Sequence, residues 1–131
     1  MEAIAAVLIG AGERGMEAYG RYALAHPGLF RFVAVAEPDA RRRARFAQNH
    51  NIPQKHCYES WEGMLTEAQL ARVAFICTPD QLHVTPGLAA LERGYDVLLE
   101  KPLAPTLAGC RQLVAAADHH GRQLQVGYVL R

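Results

Sequence analysis

The sequence predicts an α/β fold with a doubly wound, mainly parallel sheet of about six strands and helices on both faces. Short apolar runs alternate along the chain with longer segments of helical periodicity, which is typical of repeated βα units. Most of the apolar runs lack polar alternation, as expected for strands that are covered on both faces. The chain has 131 residues and fits one domain, so we assign residues 1–131 to a single unit.

The strands are predicted from short runs that are rich in apolar and β-branched residues. They are expected over residues 4–9, 32–36, 55–58, 73–77, 96–99 and 123–129. The third run has the weakest strand pattern of the six. Because each run is separated from the next by a helical segment or a turn, neighbouring strands are expected to be parallel.

The helices between the strands are predicted from capping residues and helix breakers. The first is expected over residues 13–25, before a Pro-Gly turn, and the second is expected to fray over residues 49–53. The regular part of the fourth helix is expected to begin near residues 85–86 and to end at Gly94. Four polar residues are expected to cap the later helices: Asp39, Ser60, Asp80 and Thr106. The apolar face of the last helix is predicted to consist of Leu107, Cys110, Val114 and Ala117.

Charge and composition argue against some classes of partner. A formal net charge of +1 gives no broad attraction to nucleic acid or to anionic membranes. The apolar start at residues 3–9 is too short to cross a bilayer and lacks the basic flank of a signal peptide. Cys57, Cys77 and Cys110 form an odd set without CxxC spacing, which indicates neither a disulfide framework nor a metal site. A reducing cytoplasm is therefore the expected location.

A glycine-rich sequence joins the first predicted strand to the first predicted helix. Gly10-Ala11-Gly12-Glu13-Arg14-Gly15 has GxGxxG spacing. In this motif the first glycine permits a tight turn, the second lets the backbone approach a pyrophosphate, and the third allows close packing of helix on strand. The unpaired N–H groups of the helix start then face the phosphates. We therefore predict a Rossmann-type dinucleotide site at this loop, the alternative being a glycine turn with a purely steric purpose.

An acidic residue closes the second predicted strand. Glu37 lies about twenty residues after the loop, where a carboxylate accepts hydrogen bonds from the adenosine ribose. A negative charge there repels a 2′-phosphate, so we expect NAD to be the preferred cofactor, with NADP as the alternative. Arg41 and Arg42 follow about one helical turn later, and a guanidinium can stack on adenine or neutralise a phosphate. The arginine cluster of residues 41–45 is otherwise a solvated helix face.

Two further motifs follow the fourth and fifth predicted strands. Cys77-Thr78-Pro79-Asp80-Gln81-Leu82-His83 comes after one strand, and Glu100-Lys101-Pro102-Leu103 comes after the next. Together with the glycine loop, these motifs resemble the glucose-fructose oxidoreductase, inositol dehydrogenase and MocA (Gfo/Idh/MocA) family, over all 131 residues. The resemblance implies the NAD(P)-binding domain of an oxidoreductase that acts on a small-molecule substrate of the sugar or polyol class.

The resemblance also implies roles for individual residues. Lys101 matches the family lysine that lies beside the nicotinamide and handles the proton of the substrate hydroxyl, and Glu100 and Pro102 hold it in place. The segment that lines the cofactor corresponds to Thr78, Pro79 and His83. In the family, a second, mostly antiparallel domain binds substrate and forms the oligomer interface. Because the chain ends where that domain would begin, we expect a piece of a longer protein or a natural one-domain relative.

The neighbours of Lys101 favour the same role. The lysine follows a parallel strand, at the edge of the sheet where such folds bind ligands. Leu98, Leu99 and Leu103 are expected to desolvate it partly, which suits a general acid or base. The alternative is a surface lysine that pairs with Glu100.

Other assignments stay open at this stage. A single histidine near a helix start is commonly a cap or a packing residue, so His83 has that alternative to lining the site. Tyr128 and Arg131 follow the last predicted strand and are candidates for the substrate side. The alternative to an oxidoreductase domain is a non-catalytic module that senses the dinucleotide, and a third hypothesis is a nucleotide-independent interaction domain. The sequence leaves the substrate's identity and the oligomeric state open.

Overall fold

The computed structural model describes residues 2–127, which fold around a single six-stranded sheet. The strands are β1 (Ile4–Ile9), β2 (Phe30–Ala36), β3 (Cys57–Tyr58), β4 (Val73–Ile76), β5 (Asp96–Glu100) and β6 (Leu124–Gly127). Their order across the sheet is β3-β2-β1-β4-β5-β6, and every neighbouring pair is parallel. The predicted fold class is therefore confirmed. The strand order reverses between β1 and β4, which is where sheets of this kind bind ligands beyond the carboxyl ends of the strands.

Five α-helices connect the strands. They are α1 (Arg21–Ala25), α2 (Ala40–His50), α3 (Trp61–Thr66), α4 (Val84–Glu92) and α5 (Leu107–His120). A π-helical segment, Arg14–Gly20, leads directly into α1, and 3₁₀ turns cover Gln54–His56 and Asp80–Leu82. Gly94 adopts a left-handed φ of +95° just after α4, which agrees with the predicted end of that helix.

Two apolar cores lie on opposite faces of the sheet. Within β1, Leu8 packs into the core formed with the first helix and α2, whereas the adjacent Ile9 packs into the core formed with α3, α4 and α5. Phe46 of α2 and Leu113 of α5 are both fully buried, one in each core. A strand with helices on both faces needs apolar residues at successive positions, which explains the unbroken apolar runs in the sequence.

Three of the four predicted N-caps are confirmed. Asp39 Oδ1 accepts a hydrogen bond from Arg42 N at 2.9 Å, and the hydroxyls of Ser60 and Thr106 accept equivalent bonds at 3.1 and 3.0 Å. The prediction for Asp80 is wrong, because this residue begins a 3₁₀ turn and α4 starts only at Val84. The Thr78 hydroxyl donates a hydrogen bond to the Leu82 carbonyl and closes a turn over these residues, so α4 begins only after that turn.

The predicted face of α5 is wrong in part: Ala117 is buried and Cys110 packs against the core as expected, but Leu107 and Val114 do not. Leu107 is 67% exposed and Val114 is 49% exposed, whereas Gly109, Leu113 and Ala117 are buried. Close packing against α4 sets this rotation, since a Cβ at Gly87 of α4 would lie only 2.7 Å from the Leu113 side chain. A glycine on the neighbouring helix makes room for Leu113, and helical periodicity alone does not reveal that space.

The last predicted strand begins at Leu124 and is described as far as Gly127. Tyr128 and Arg131 lie outside the described residues. Within residues 2–127, no helix combines the length and the apolar character that a membrane span requires.

Candidate functional site

The glycine loop, residues 10–15, turns the chain from β1 into the first helix. Gly10 has a φ of +95°, and a Cβ there would lie 2.8 Å from the carbonyl carbon and oxygen of Cys77. Gly15 is equally enclosed, because a Cβ would meet the Gly10 carbonyl oxygen and the Leu8 side chain. These contacts agree with the tight turn and the close helix packing expected of the first and third glycines.

The second glycine of the loop faces open space. No protein atom lies within 4 Å of a Cβ placed on Gly12. The loop opens onto a depression of about 280 Å³ lined by Ala11, Gly12, Glu13, Met16, Glu17, Arg42 and Arg45. Of the two arginines expected near the cofactor, Arg42 lines this depression, together with Arg45, and Arg41 does not. A backbone that is enclosed at two glycines and open at the third fits a loop that a ligand approaches closely.

A larger depression, of about 560 Å³, lies at the opposite edge of the sheet. It is lined by Glu2, Ala3, Ile4, Ala5, Arg31 and Arg72, around the amino ends of the central strands. Parallel sheets of this topology bind ligands at the carboxyl ends of their strands. We therefore place the candidate site at the smaller depression, beside the point where the strand order reverses.

Glu37 anchors the glycine loop. Its Oε1 accepts a hydrogen bond from Ala11 N at 2.8 Å, and its Oε2 accepts one from Asp39 N at 2.8 Å. The side chain is buried, and Arg43 Nη1 donates to its backbone carbonyl at 2.7 Å. One carboxylate thus joins the loop after β1 to the start of α2. Each carboxylate oxygen has a second lone pair, so this anchoring leaves acceptor capacity for another donor.

Glu100, at the end of β5, connects the glycine loop to the lysine motif. Its Oε1 accepts a bond from Arg14 Nε at 3.0 Å, and its Oε2 accepts one from the Tyr19 hydroxyl at 3.0 Å. The Arg14 guanidinium also lies over the Tyr19 ring, 5.6 Å from its centre. The bond to Glu100 raises the pKa of Arg14, and burial, together with Glu100, raises the pKa of Tyr19 to about 12. Glu100 is therefore paired with Arg14 and Tyr19, and the ion pairs found among residues 2–127 do not include one between Glu100 and Lys101.

Tyr19 was not among the site residues predicted from the sequence. It stands five residues after Arg14, a spacing that places two side chains together on a π-helix but on different sides of an α-helix. The first helix was expected to be regular over residues 13–25, and the π-helical segment Arg14–Gly20 corrects that expectation. Glycines at both ends of the segment permit the wide turn, since a Cβ at Gly20 would lie 3.0 Å from the Gly15 carbonyl oxygen.

Lys101 lies in the turn formed by residues 100–102, which we name the EKP turn. It follows β5 directly, at the carboxyl edge of the sheet and on the same side as the glycine loop. The side chain is exposed, so the predicted partial desolvation by Leu98, Leu99 and Leu103 is not present. The peptide bond between Lys101 and Pro102 is cis. The lysine is thus presented to solvent at the carboxyl edge of the sheet.

The segment after β4 approaches the EKP turn through His83. The imidazole is fully buried, with Nδ1 2.7 Å from the Pro102 carbonyl oxygen and Nε2 2.9 Å from the Thr78 carbonyl oxygen. Thr78 and Pro79 themselves lie at or near the surface. The structure therefore brings Thr78 and Pro79 to the carboxyl edge of the sheet, and it places the His83 ring beneath them, between this segment and the EKP turn.

Cys77 lies beneath the same edge, at the end of β4. Burial raises the pKa of its thiol to about 12. At neutral pH the group is protonated, so it is poorly suited to act as a nucleophile or a metal ligand. Among residues 2–127, the structure shows no cluster of three or more His, Cys, Asp or Glu side chains arranged for a metal ion.

Comparison with known proteins identifies the family. The profile of an oxidoreductase family with an NAD-binding Rossmann fold matches residues 4–128. The chain belongs to the Gfo/Idh/MocA oxidoreductase family. Its glycine loop, its TPDQLH segment and its EKP turn all lie within the matched region.

Two curated relatives illustrate the range of the family. Trans-1,2-dihydrobenzene-1,2-diol dehydrogenase of Oryctolagus cuniculus is 39% identical over 89 residues, which are 68% of this chain and 26% of the relative. Inositol 2-dehydrogenase 4 of Saccharopolyspora erythraea is 35% identical over 125 residues, which are 95% of this chain and 36% of the relative. The aligned region thus spans about a quarter to a third of these relatives' own length.

A solved structure shows the same fold in a protein with ligands bound. The inositol dehydrogenase homolog of Azotobacter vinelandii, complexed with NADH and myo-inositol, is 27% identical and superimposes with a TM-score of 0.83. The match covers 97% of this chain and 35% of that protein. The fold described by residues 2–127 is therefore that of the NAD-binding part of a larger oxidoreductase.

Proposed function

We propose that this chain binds NAD at its glycine loop and forms the cofactor half of an oxidoreductase that acts on a sugar, a polyol or a related hydroxy compound. The observation that carries the proposal is the contrast within the loop, where Gly10 and Gly15 are enclosed and Gly12 is open. That open backbone lies where the strand order reverses, with Lys101 at the end of a nearby strand. The relatives named above, dehydrogenases of a diol and of inositol, support this substrate class.

The residues present at the loop fit a dinucleotide. The open space at Gly12 leaves room for a pyrophosphate against the backbone, and the following helix start supplies N–H groups for its charge. Glu13 and Arg14 complete the loop, and Thr78 and Pro79 extend the same edge towards the EKP turn. When bound, the nicotinamide supplies the hydride acceptor or donor. The protein's task is to bind and orient it.

Lys101 is the proposed catalytic residue. An exposed ammonium or amine at the end of β5 can exchange a proton with the hydroxyl of a substrate held against it. The rest of the substrate site is proposed to lie outside this chain, because the chain spans only 26% of the first diol dehydrogenase relative. By itself the domain is then a binder with little turnover, since orientation of the substrate comes from the other part.

Glu37 is proposed to favour NAD over NADP. Its carboxylate is fixed by Ala11 N and Asp39 N at the end of β2, and a fixed negative charge there repels a 2′-phosphate. Arg42 and Arg45, which line the depression, counter this repulsion in part. Glu37→Gln removes the charge and keeps one acceptor oxygen. We expect it to narrow the preference for NADH over NADPH by about tenfold, as loss of one charge–charge interaction of about 1.4 kcal/mol would do.

Calorimetric titration with NADH tests the proposed function. Gly12→Val places a branched side chain in the open space, so we expect NADH binding to be lost while the fold is retained. Gly28→Val is the matched control, because a Cβ at Gly28 also meets no protein atom within 4 Å and the residue lies beyond α1, away from the loop. Unchanged NADH affinity in Gly12→Val would rule out the site, and failure of the unmodified chain to bind either dinucleotide would support an interaction domain instead.

The non-catalytic sensor is the second candidate, favoured by the exposure of Lys101. The two candidates separate on turnover in a longer protein that contains this chain. There, Lys101→Ala should lower kcat by about 10²-fold or more at nearly unchanged NADH affinity, because general acid–base catalysis contributes about 10² to 10⁴. If the longer protein shows no turnover but changes its conformation when NADH binds, the chain is part of a sensor. A reducing cytoplasm remains the proposed location for either function.

A further inference from the structure

The bridge made by His83 carries an inference that rests on the proposed function. The ring is 0% exposed, so its side chain does not reach the surface where a dinucleotide would lie. Its two nitrogens lie against two backbone carbonyl oxygens, of Pro102 at 2.7 Å and of Thr78 at 2.9 Å. These carbonyls belong to two different segments, one after β4 and one after β5. The ring is therefore a cross-link between the EKP turn and the neighbouring segment of the site edge.

We propose that His83 is a positioning residue for Lys101: in the tautomer that carries its proton on Nδ1, the ring donates a hydrogen bond to the Pro102 carbonyl. Pro102 follows Lys101 directly, so this bond fixes the backbone on the carboxyl side of the lysine. On the amino side, Arg14 and Tyr19 fix Glu100. Lys101 is an exposed side chain between two anchored neighbours.

The two nitrogens of the ring have separable tasks in this proposal. The Nδ1 contact lies at the EKP turn and the Nε2 contact lies at the Thr78 segment, and each is a hydrogen bond when the nitrogen concerned carries a proton. Amide side chains distinguish the two. In Asn the amide nitrogen stands near the position of Nδ1, and in Gln it stands near the position of Nε2, so each variant keeps one donor. His83→Asn should preserve the orientation of Lys101, and His83→Gln should lose it.

Lysine signals in NMR spectra provide the readout, because the chain contains only two lysines, Lys55 and Lys101. With ¹³C-labelled lysine, the two side-chain methylene signals are assigned by substitution of Lys55. Lys55 lies in the exposed 3₁₀ turn before β3, so its signal is an internal control. In the unmodified chain, saturation with NADH should shift the Lys101 signal and leave the Lys55 signal in place.

The variant series tests the positioning role. We expect the NADH-induced shift of the Lys101 signal to be retained in His83→Asn and lost in His83→Gln and His83→Phe. In every variant the NADH affinity should stay within about fivefold of that of the unmodified chain, because one net hydrogen bond contributes about that much. Amide spectra verify that each variant is folded, and the two amide variants carry the test if His83→Phe unfolds. A Lys101 shift retained in His83→Gln, or lost in His83→Asn, would overturn the proposal.

The same experiment separates this proposal from the proposed function. If the unmodified chain does not bind NADH, or binds it without moving the Lys101 signal, the proposed dinucleotide site beside Lys101 fails, and the positioning role fails with it. If NADH binds and shifts Lys101 equally in the unmodified chain and in all three variants, the function stands and the role of His83 is wrong. A loss of thermal stability without the Asn–Gln difference likewise identifies a purely structural histidine.

Discussion

The glycine loop and the EKP turn lie on the same edge of one sheet, but they are built in different ways. In the loop, the glycine backbone determines the surface, because Gly10 and Gly15 are enclosed by neighbouring atoms and Gly12 is open, and the Glu37 side chain adds one anchor. The EKP turn is held by side chains from other segments: Arg14 and Tyr19 contact Glu100, and His83 contacts the Pro102 carbonyl. Both sites are visible as short motifs, but the distant side chains that hold the EKP turn are not visible in its motif.

The largest effect expected from this comparison concerns stability at the loop. Gly10→Ala should cost about 3 kcal/mol or more of unfolding free energy, because its φ of +95° is strained for alanine and the new Cβ would lie 2.8 Å from the Cys77 carbonyl. Gly12→Ala should change stability by less than about 1 kcal/mol, the ordinary difference between glycine and alanine. Urea denaturation measures both. Equal costs at the two positions would show that the loop is not divided into enclosed and open glycines.

The EKP turn should respond to changes in its side-chain partners. Glu100→Ala leaves the Tyr19 hydroxyl and the Arg14 guanidinium without their acceptor, which we expect to cost about 1–3 kcal/mol of unfolding free energy. Because the Arg14 side chain is 44% exposed, water compensates it in part, and the loss of stability stays below that of a fully buried pair. Glu92→Ala, on the exposed end of α4, is the matched control and should be nearly neutral. A neutral Glu100→Ala would mean that the contacts around it do not hold the turn.

A smaller effect distinguishes two adjacent arginines. Arg42 lines the depression at the glycine loop and Arg41 does not, although both are exposed on α2. Arg42→Ala should weaken NADPH binding by a few-fold, or about 0.5–1 kcal/mol for a solvent-exposed charge interaction, and Arg41→Ala should leave it unchanged. Parallel titrations at low ionic strength compare them, because salt screens such contacts. A larger loss of NADPH affinity in Arg41→Ala than in Arg42→Ala would support a role for Arg41 at the cofactor instead.

The last effect is a pH dependence in the link between the glycine loop and the EKP turn. The folded chain raises the pKa of Tyr19 to about 12 from its ordinary value of 10.0, mainly through burial and then through the bond to Glu100. The protonated phenol is therefore favoured by folding, so its contribution is complete below pH 10 and is lost as the pH rises from 10 towards 12. The difference in urea midpoint between the unmodified chain and Tyr19→Phe should shrink over that interval. A difference in urea midpoint that does not change with pH over that interval would contradict this role of the Tyr19 phenol.

These contrasts explain which features the sequence could predict. The strands, their parallel direction and three N-caps follow from local patterns. The capping bonds of Asp39 and Thr106, for example, join residues only three apart. The face of α5 could not be predicted from its own periodicity, because Gly87 on another helix makes room for Leu113. Asp80 failed as a cap because the Thr78 hydroxyl closes a competing turn.

The candidate site divides in the same way. The loop glycines and Glu37 were selected from spacing alone, and their enclosed or anchored positions agree with that selection. Tyr19 was missed because its partnership with Arg14 requires a π-helix, and the burial of His83 depends on carbonyls that stand 5 and 19 residues away. Contacts of that kind are set by the tertiary fold, so no short motif encodes them.

An NMR map of NADH binding tests the central claim most directly. If the glycine loop and the EKP turn frame one dinucleotide site, backbone amide signals should shift along the carboxyl edge of the sheet, over residues 10–15, at Glu37, at Thr78 and at Lys101. Signals around the larger depression at the amino edge, at Ile4, Arg31 and Arg72, should stay in place. Shifts confined to the amino edge, or to the loop without the EKP turn, would contradict the account.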